Sequence, residues 1–318
     1  MEASFNIERW LGVLRLLRLK YGSRLSVVCF VGLSLILAWC VAAPLWLGKG
    51  LNEPSFTAIA SLMMFTPAAA ALAVSLLERR GSTFLRDTGI WPLKRSMRFL
   101  VSVLLALLIP IALVVQAPIV GTWIGVFPGD LQNFTLLHFV SGTKGPVLYL
   151  ADQALLIVLA GLANALLAIG EEVGWRGWLW PRLVPSGKLV AILFSGVIWG
   201  FWHAPLILLG YNYPLAPGWG VIAMCGVCIV LGAFLGWIRS YSESVWPAAL
   251  AHGVFNASVG LTSLFMTLGA SMDSTESSIL GWTGWILPGV VIAAILLVSA
   301  IRSGVPGSIS TVRQNLEN

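Results

Sequence analysis

Apolar residues run along this chain in blocks of about twenty, the length a helix needs to cross a hydrocarbon core roughly 30 Å thick. Eight blocks stand out, near residues 25–47, 56–77, 99–120, 148–180, 189–210, 218–238, 244–266 and 279–301. Within a bilayer each backbone polar group must be satisfied inside its own segment, so such blocks predict helices. The pattern therefore predicts an all-α protein, a polytopic transmembrane helical bundle with about eight spanning helices. No long polar linker, low-complexity tract or internal repeat interrupts the blocks, and residues 1–318 read as a single membrane domain.

Composition agrees with this pattern. The chain is 58% hydrophobic and only 10% charged, with a mean hydropathy of +0.89, whereas an ordinary soluble domain carries about 25% charged residues. Water is excluded as the main solvent.

Charge then orients the helices, because cytosolic loops are enriched in Lys and Arg. Arg9, Arg15, Arg18, Lys20 and Arg24 precede the first block, too long and too charged a lead for a cleaved signal peptide, so that block reads as a retained anchor. Arg79, Arg80, Arg86, Lys94, Arg95 and Arg98 fill the next loop on the same side, and Arg176, Arg182, Lys188, Arg239, Arg302 and Arg313 follow. Of the 19 basic residues, only Lys49 and Lys144 fall on the opposite side. This predicts a multi-pass protein of the plasma membrane with both termini cytosolic. The net charge of +6 is loop basicity facing an anionic leaflet and gives no reason to invoke nucleic acid. Trp175, Trp178, Trp180, Trp237 and Trp246 are expected to belong to the cytosolic aromatic belt.

Several features carry bland expectations. Cys29, Cys40, Cys225 and Cys228 all lie within apolar blocks, where thiols pack as small hydrophobes, and the C-x-x-C spacing of the last two has no further thiol or imidazole near it. His138, in the external loop 121–147, has no acidic partner near it in sequence, and Asp152 sits near the outer end of its block as a solvated group. Gly232 and Gly236 have the G-x-x-x-G spacing that brings helices together, either inside the bundle or in a dimer.

The remaining ionisable groups fall at membrane depth, where each costs about 2.5 to 3.5 kcal/mol on insertion scales and so marks function by default. They are Glu171 and Glu172 in AIGEEVGWRGWLWPRL, His203 in WGFWHAP and His252 in AHGVFN. Glu172 and Arg176 are spaced i, i+4 with the acid N-terminal, the favourable order for an ion pair. That pairing leaves Glu171 as the free carboxylate, suited to act as a general base. His252 and Asn256 repeat the i, i+4 spacing and share a helical face. At 1.5 Å per residue Glu171, His203 and His252 lie about 15, 21 and 12 Å from the cytosolic ends of their helices, a common slab near mid-membrane. Three unrelated packing residues would have no reason to share one depth.

These residues resemble a known family. EEVGWR fits its E-E-x-x-x-R motif, WGFWH its F-x-x-x-H motif and HGVFN its H-x-x-x-N motif, in that order, across residues 147–262. Together they are similar to the CPBP (CAAX protease and bacteriocin-processing, or Abi) intramembrane endopeptidases, the group that includes the Ras-converting enzymes. One position departs: Trp199 stands where the family usually has Phe, and reads as aromatic packing near His203.

The resemblance implies a division into supporting helices over 25–120, a catalytic core over 147–262 and a C-terminal helix over 279–301. It implies that Glu171 and His203 activate a water, that His252 and Asn256 form the oxyanion site, and that Glu172 and Arg176 orient the first carboxylate. The family is also described as metalloprotease; Glu171, His203 and His252 would be the candidate ligands for a divalent metal such as zinc, while a glutamate base without metal is the other option. The expected substrate is a membrane-associated or lipidated protein, reached from the cytosol. A non-proteolytic scaffold or a proton-coupled transporter using the same carboxylates remains the competing expectation, and neither the substrate nor the oligomeric state is legible in the sequence.

Overall fold

The computed structural model describes residues 2–93 and 96–304, with side chains described from 24 to 93 and from 96 to 301. The charges of Arg9, Arg15, Arg18, Lys20, Lys94, Arg95, Arg302 and Arg313, used above for orientation, lie outside the described side chains. Among the described residues the chain is helical, with one isolated bridge between Gly129 and Met266 and no strand.

Among the described residues nine helices of eight residues or more build the bundle: α1 (Glu2–Leu47), α2 (Phe56–Met63), α3 (Thr66–Leu77), α4 (Met97–Ile124), α5 (Pro146–Glu172), α6 (Lys188–Trp202), α7 (Pro217–Ser242), α8 (Trp246–Ser258) and α9 (Thr283–Gly304). Proline supplies the first or second residue of α3, α5, α7 and α8. There its missing N–H leaves no bond unmade and its fixed φ suits a helix. Ser96 starts α4 as N-cap, its hydroxyl accepting from the Phe99 amide at 3.2 Å.

Seven helical segments among the described residues are long and apolar enough to cross a membrane, and the chain is an integral membrane protein. The fifth expected span, 189–210, is the exception. α6 has 15 residues, about 22 Å of helix, and ends at Trp202 because Pro205 follows. A proline has no N–H to give and its ring clashes with the carbonyl four residues earlier; the chain turns at His203 and resumes as a short helix, Ala204–Ile207, with Pro205 in its first turn. The second span is also divided, at Met64 and Phe65 just ahead of Pro67.

The helices meet through small residues, as they do where no hydrophobic effect drives association. α5 and α8 touch backbone to backbone: a Cβ added to Gly253 would lie 2.3 Å from the Gly161 carbonyl. The G-x-x-x-G pair on α7 also serves the inside of the bundle. A Cβ on Gly236 would fall 2.5 Å from the Trp180 ring, and one on Gly232 would fall 3.0 Å from the Arg176 guanidinium.

The expected aromatic belt requires correction. Trp175, Trp178 and Trp180 are 0%, 1% and 5% exposed and form the core. Trp178 stacks on Phe30 at 4.7 Å and donates its indole N–H to Ser75, while Trp180 donates to Ser240. A tryptophan whose N–H finds a hydroxyl across a helix contact is buried at no polar cost. Trp237 alone of the five is exposed. The bland readings meet no obstacle: the four cysteines are free thiols, His138 is exposed, and Asp152 forms an exposed ion pair with Lys144.

Candidate active site

Two helix ends, the π-helical stretch that follows one of them and one helix middle deliver the polar cluster. Glu171 and Glu172 are the last two residues of α5, and the chain then widens into a π-helical stretch, Val173–Leu179. Such segments are rare and recur at functional sites. Glycines press this end against its neighbours: a Cβ on Gly170 would meet the Met64 carbonyl at 2.7 Å, and one on Gly174 would meet Pro67 at 2.4 Å. The break between α2 and α3 thus lies against the residue preceding Glu171. Glu171, Glu172 and Arg176 are 2%, 0% and 2% exposed.

Glu172 is the centre of a buried ion pair. Its Oε1 accepts from Arg176 Nη1 at 3.0 Å and from His252 Nδ1 at 3.0 Å, while its Oε2 has no hydrogen-bond partner. A carboxylate can only accept, so the Nδ1 of His252 carries the proton and Nε2 is the ring's free nitrogen. The expected i, i+4 pair is present. Glu172 holds His252 of α8, and neither Glu172 nor Arg176 hydrogen-bonds Glu171.

Glu171 is held instead by Trp199, whose indole N–H donates to Oε2 at 2.6 Å. Trp199 is 2% exposed and sits amid the whole cluster. The Arg176 guanidinium lies 3.9 Å above its ring, His252 meets it edge-on at 5.2 Å, and His203 lies 5.8 Å away. The sequence reading placed this residue as packing only. The available signal was its chemistry: tryptophan keeps the aromatic face of the motif's usual phenylalanine and adds a donor.

His203 owes its place to the end of α6. Its amide bonds to the Gly200 carbonyl, three residues back, instead of continuing the α-helical pattern to Trp199. The Trp199 carbonyl freed at this helix terminus takes His203 Nδ1 at 2.8 Å. A carbonyl accepts, so here too the proton is on Nδ1 and Nε2 is free. Both histidines therefore turn the same kind of nitrogen away from their anchoring bonds.

Asn256 is apart from this network. It is exposed, one turn beyond the 4% exposed His252, and among the described residues no hydrogen bond joins it to the other five. Sharing a helical face with His252 did not place both side chains in one contact.

Among the described residues no three of His, Cys, Asp and Glu gather as a set that could hold a metal ion, so Glu171, His203 and His252 do not fit a ligand set in this arrangement.

Residues 152–258 match the model of a family described as type II CAAX prenyl endopeptidase, Rce1-like. All six motif residues, Glu171, Glu172, Arg176, His203, His252 and Asn256, fall within that stretch. No curated protein matches the chain. At the level of the family, this portion of the chain is similar to CAAX-type intramembrane proteases, whose substrate is a protein and whose medium is a bilayer.

Proposed function

We propose that this protein is an intramembrane endopeptidase of the CAAX prenyl protease (CPBP) type, which hydrolyses a peptide bond of a membrane-associated or lipidated protein. The observation that carries the reading is the buried cluster in which α5, α6 and α8 place two carboxylates, an arginine and His252 around Trp199. Ionisable groups this deep are expensive, and a set of them linked across helices is better explained by chemistry than by packing.

In this reading Glu171 is the general base. Its Oε2 is fixed by Trp199, and Oε1 takes a proton from the attacking water as the water oxygen bonds to the peptide carbonyl carbon. His203 Nε2 accepts the water's other hydrogen and orients it. The developing oxyanion is received by Asn256 and by His252, whose second proton, on Nε2, is taken from water before the substrate is attacked and is returned there after the amine leaves, with Glu172 facing the imidazolium. The proton on Glu171 then passes to the leaving amine as the C–N bond breaks. Glu172 fixes His252, and Arg176 balances Glu172 and lies over the Trp199 ring that holds Glu171.

We place the site in one membrane domain whose termini and opening face the cytosol at the plasma membrane, as the loop charges suggest. A metal is not needed for these steps, and none is routed through one. The interruption of α6 at His203 is a feature that a proton-coupled transporter would share, so hydrolysis itself is the deciding property. Purified protein in detergent, given a quenched peptide ending in a lipidated cysteine motif, should cleave it, and Glu171→Ala and His252→Ala should not. Cleavage undiminished in both variants would overturn the site, and no cleavage of any membrane-associated substrate would favour the transporter or a scaffold. Metal content of the active protein by mass spectrometry, with activity after chelation, tests the mechanism separately: stoichiometric zinc would recast Glu171, His203 and His252 as ligands.

A further inference from the structure

We infer that Trp199 is a positioning residue for the reaction, holding the Glu171 carboxylate through its indole N–H while its ring is clamped between the Arg176 guanidinium and the His252 imidazole. The inference rests on the proposed function, and on four contacts that need not have met in one side chain.

The first is the bond itself, 2.6 Å from Nε1 to Oε2 of Glu171. Indole is a donor with one hydrogen and no lone pair to offer, so it can fix a carboxylate but never compete for its proton. One oxygen is anchored, and among the described residues no side chain donates to the other. A base needs that arrangement: a fixed carboxylate with one lone pair turned to the substrate water.

The second and third contacts lock the indole. The Arg176 guanidinium lies 3.9 Å over the ring face and His252 approaches edge-on at 5.2 Å. Both partners are themselves tied to Glu172. The two carboxylates are thus held by one continuous assembly, Glu172 through Arg176 and His252, and Glu171 through the ring that these two enclose. The fourth contact is permissive. Gly232 of α7 lies beneath, and a Cβ there would fall 3.0 Å from Arg176 and 4.0 Å from the Trp199 ring. A phenylalanine in place of Trp199 would keep an aromatic face and lose the donor together with the volume of the fused ring, and a Glu171→Gln background separates the two losses.

That difference makes the test clean. In Trp199→Phe, kcat is expected to fall about ten- to hundredfold, the value of a hydrogen bond to a charged group, with KM unchanged, because the lost bond orients the base and touches no substrate. In a Glu171→Gln background the same change should add nothing further to the loss. A second readout is independent of activity. The indole ¹⁵N–¹H resonance of Trp199, assigned by its disappearance in Trp199→Phe, is expected downfield of the other indoles and should move upfield into their range in Glu171→Ala, because the charge-assisted bond is lost.

A Trp199→Phe enzyme with wild-type kcat would overturn the positioning role, as would a rise in KM alone. A resonance indifferent to Glu171→Ala would overturn the contact whatever the activity. If wild-type protein hydrolyses no peptide, the proposed function fails and the positioning role with it, while the resonance still decides whether indole and carboxylate are bonded.

Discussion

His252 on α8 donates its Nδ1–H to Glu172 Oε1 on α5 at 3.0 Å, joining two helices 80 residues apart in sequence. The same oxygen takes Arg176, so one fully buried carboxylate balances a buried guanidinium and sets the tautomer of His252. Such a pair is weak grounds for stability when compared with an apolar replacement, yet removing one partner is costly because the other stays charged in low dielectric.

The two adjacent glutamates should therefore respond oppositely to one substitution. Glu172→Gln leaves Arg176 without its counter-charge and is expected to destabilise by about 3 kcal/mol, seen as a drop of several degrees in thermal unfolding in detergent. Glu171→Gln removes a buried carboxylate whose one bonded neighbour, Trp199, can donate equally to the amide oxygen. It should keep or raise the melting temperature while lowering kcat by about a thousandfold. Equal destabilisation by both would contradict the separation of roles.

This separation was partly legible in the sequence. The i, i+4 spacing gave the Glu172–Arg176 pair, because both residues lie on one helix whose geometry is local. Which carboxylate the pair would serve was not legible, since His252 reaches Glu172 only through the packing of α5 on α8 over Gly161 and Gly253. Likewise a hydropathy block marks apolar length but not continuity, so Pro205 cut the fifth span short and Pro67 followed the break in the second. The tryptophans misled for a related reason: Trp175, Trp178 and Trp180 sit near the end of their apolar block, and a ring destined for the interface has the same sequence signature as one that finds Ser75 or Ser240 inside.

The glycines of α7 should act within one molecule. In Gly236→Ala the added methyl would meet the Trp180 ring at 2.5 Å, and the ring is fixed by Ser240. Overpacking of this kind costs about 1 to 3 kcal/mol. The expected result is a lower melting temperature with an unchanged molecular mass by light scattering in detergent. A change in oligomeric state at wild-type stability would instead place the pair at a contact between copies.

Pro205 is expected to matter for His203 without touching substrate. An alanine there restores an N–H that can reach the Phe201 carbonyl, so α6 can run on, His203 takes the regular helical bond to Trp199, and the carbonyl now held by its ring is lost as an acceptor. Pro205→Ala should then cost about tenfold in kcat with the fold retained, because a misplaced water-orienting group weakens the reaction geometry. Far-UV circular dichroism unchanged or slightly more helical, together with that loss, would support the account. Wild-type kcat would show that the break at His203 is only structural.

Asn256 gives the sharpest division between catalysis and packing, because nothing in its surroundings ties it to stability. It is exposed and, among the described residues, makes no side-chain hydrogen bond, so Asn256→Ala should change unfolding by less than about 0.5 kcal/mol. If its amide donates to the oxyanion, the contact exists only when the tetrahedral species forms. Removing such a donor costs about a hundredfold in kcat and little in KM, since the ground-state carbonyl is held elsewhere. Asn256→Asp is the informative companion. It keeps the size and one acceptor but loses the N–H₂ donor and brings negative charge to the place where more must develop, so its loss should exceed that of alanine. Asp tolerated better than Ala would show that the side chain accepts a hydrogen bond from substrate and would leave His252 as the oxyanion donor.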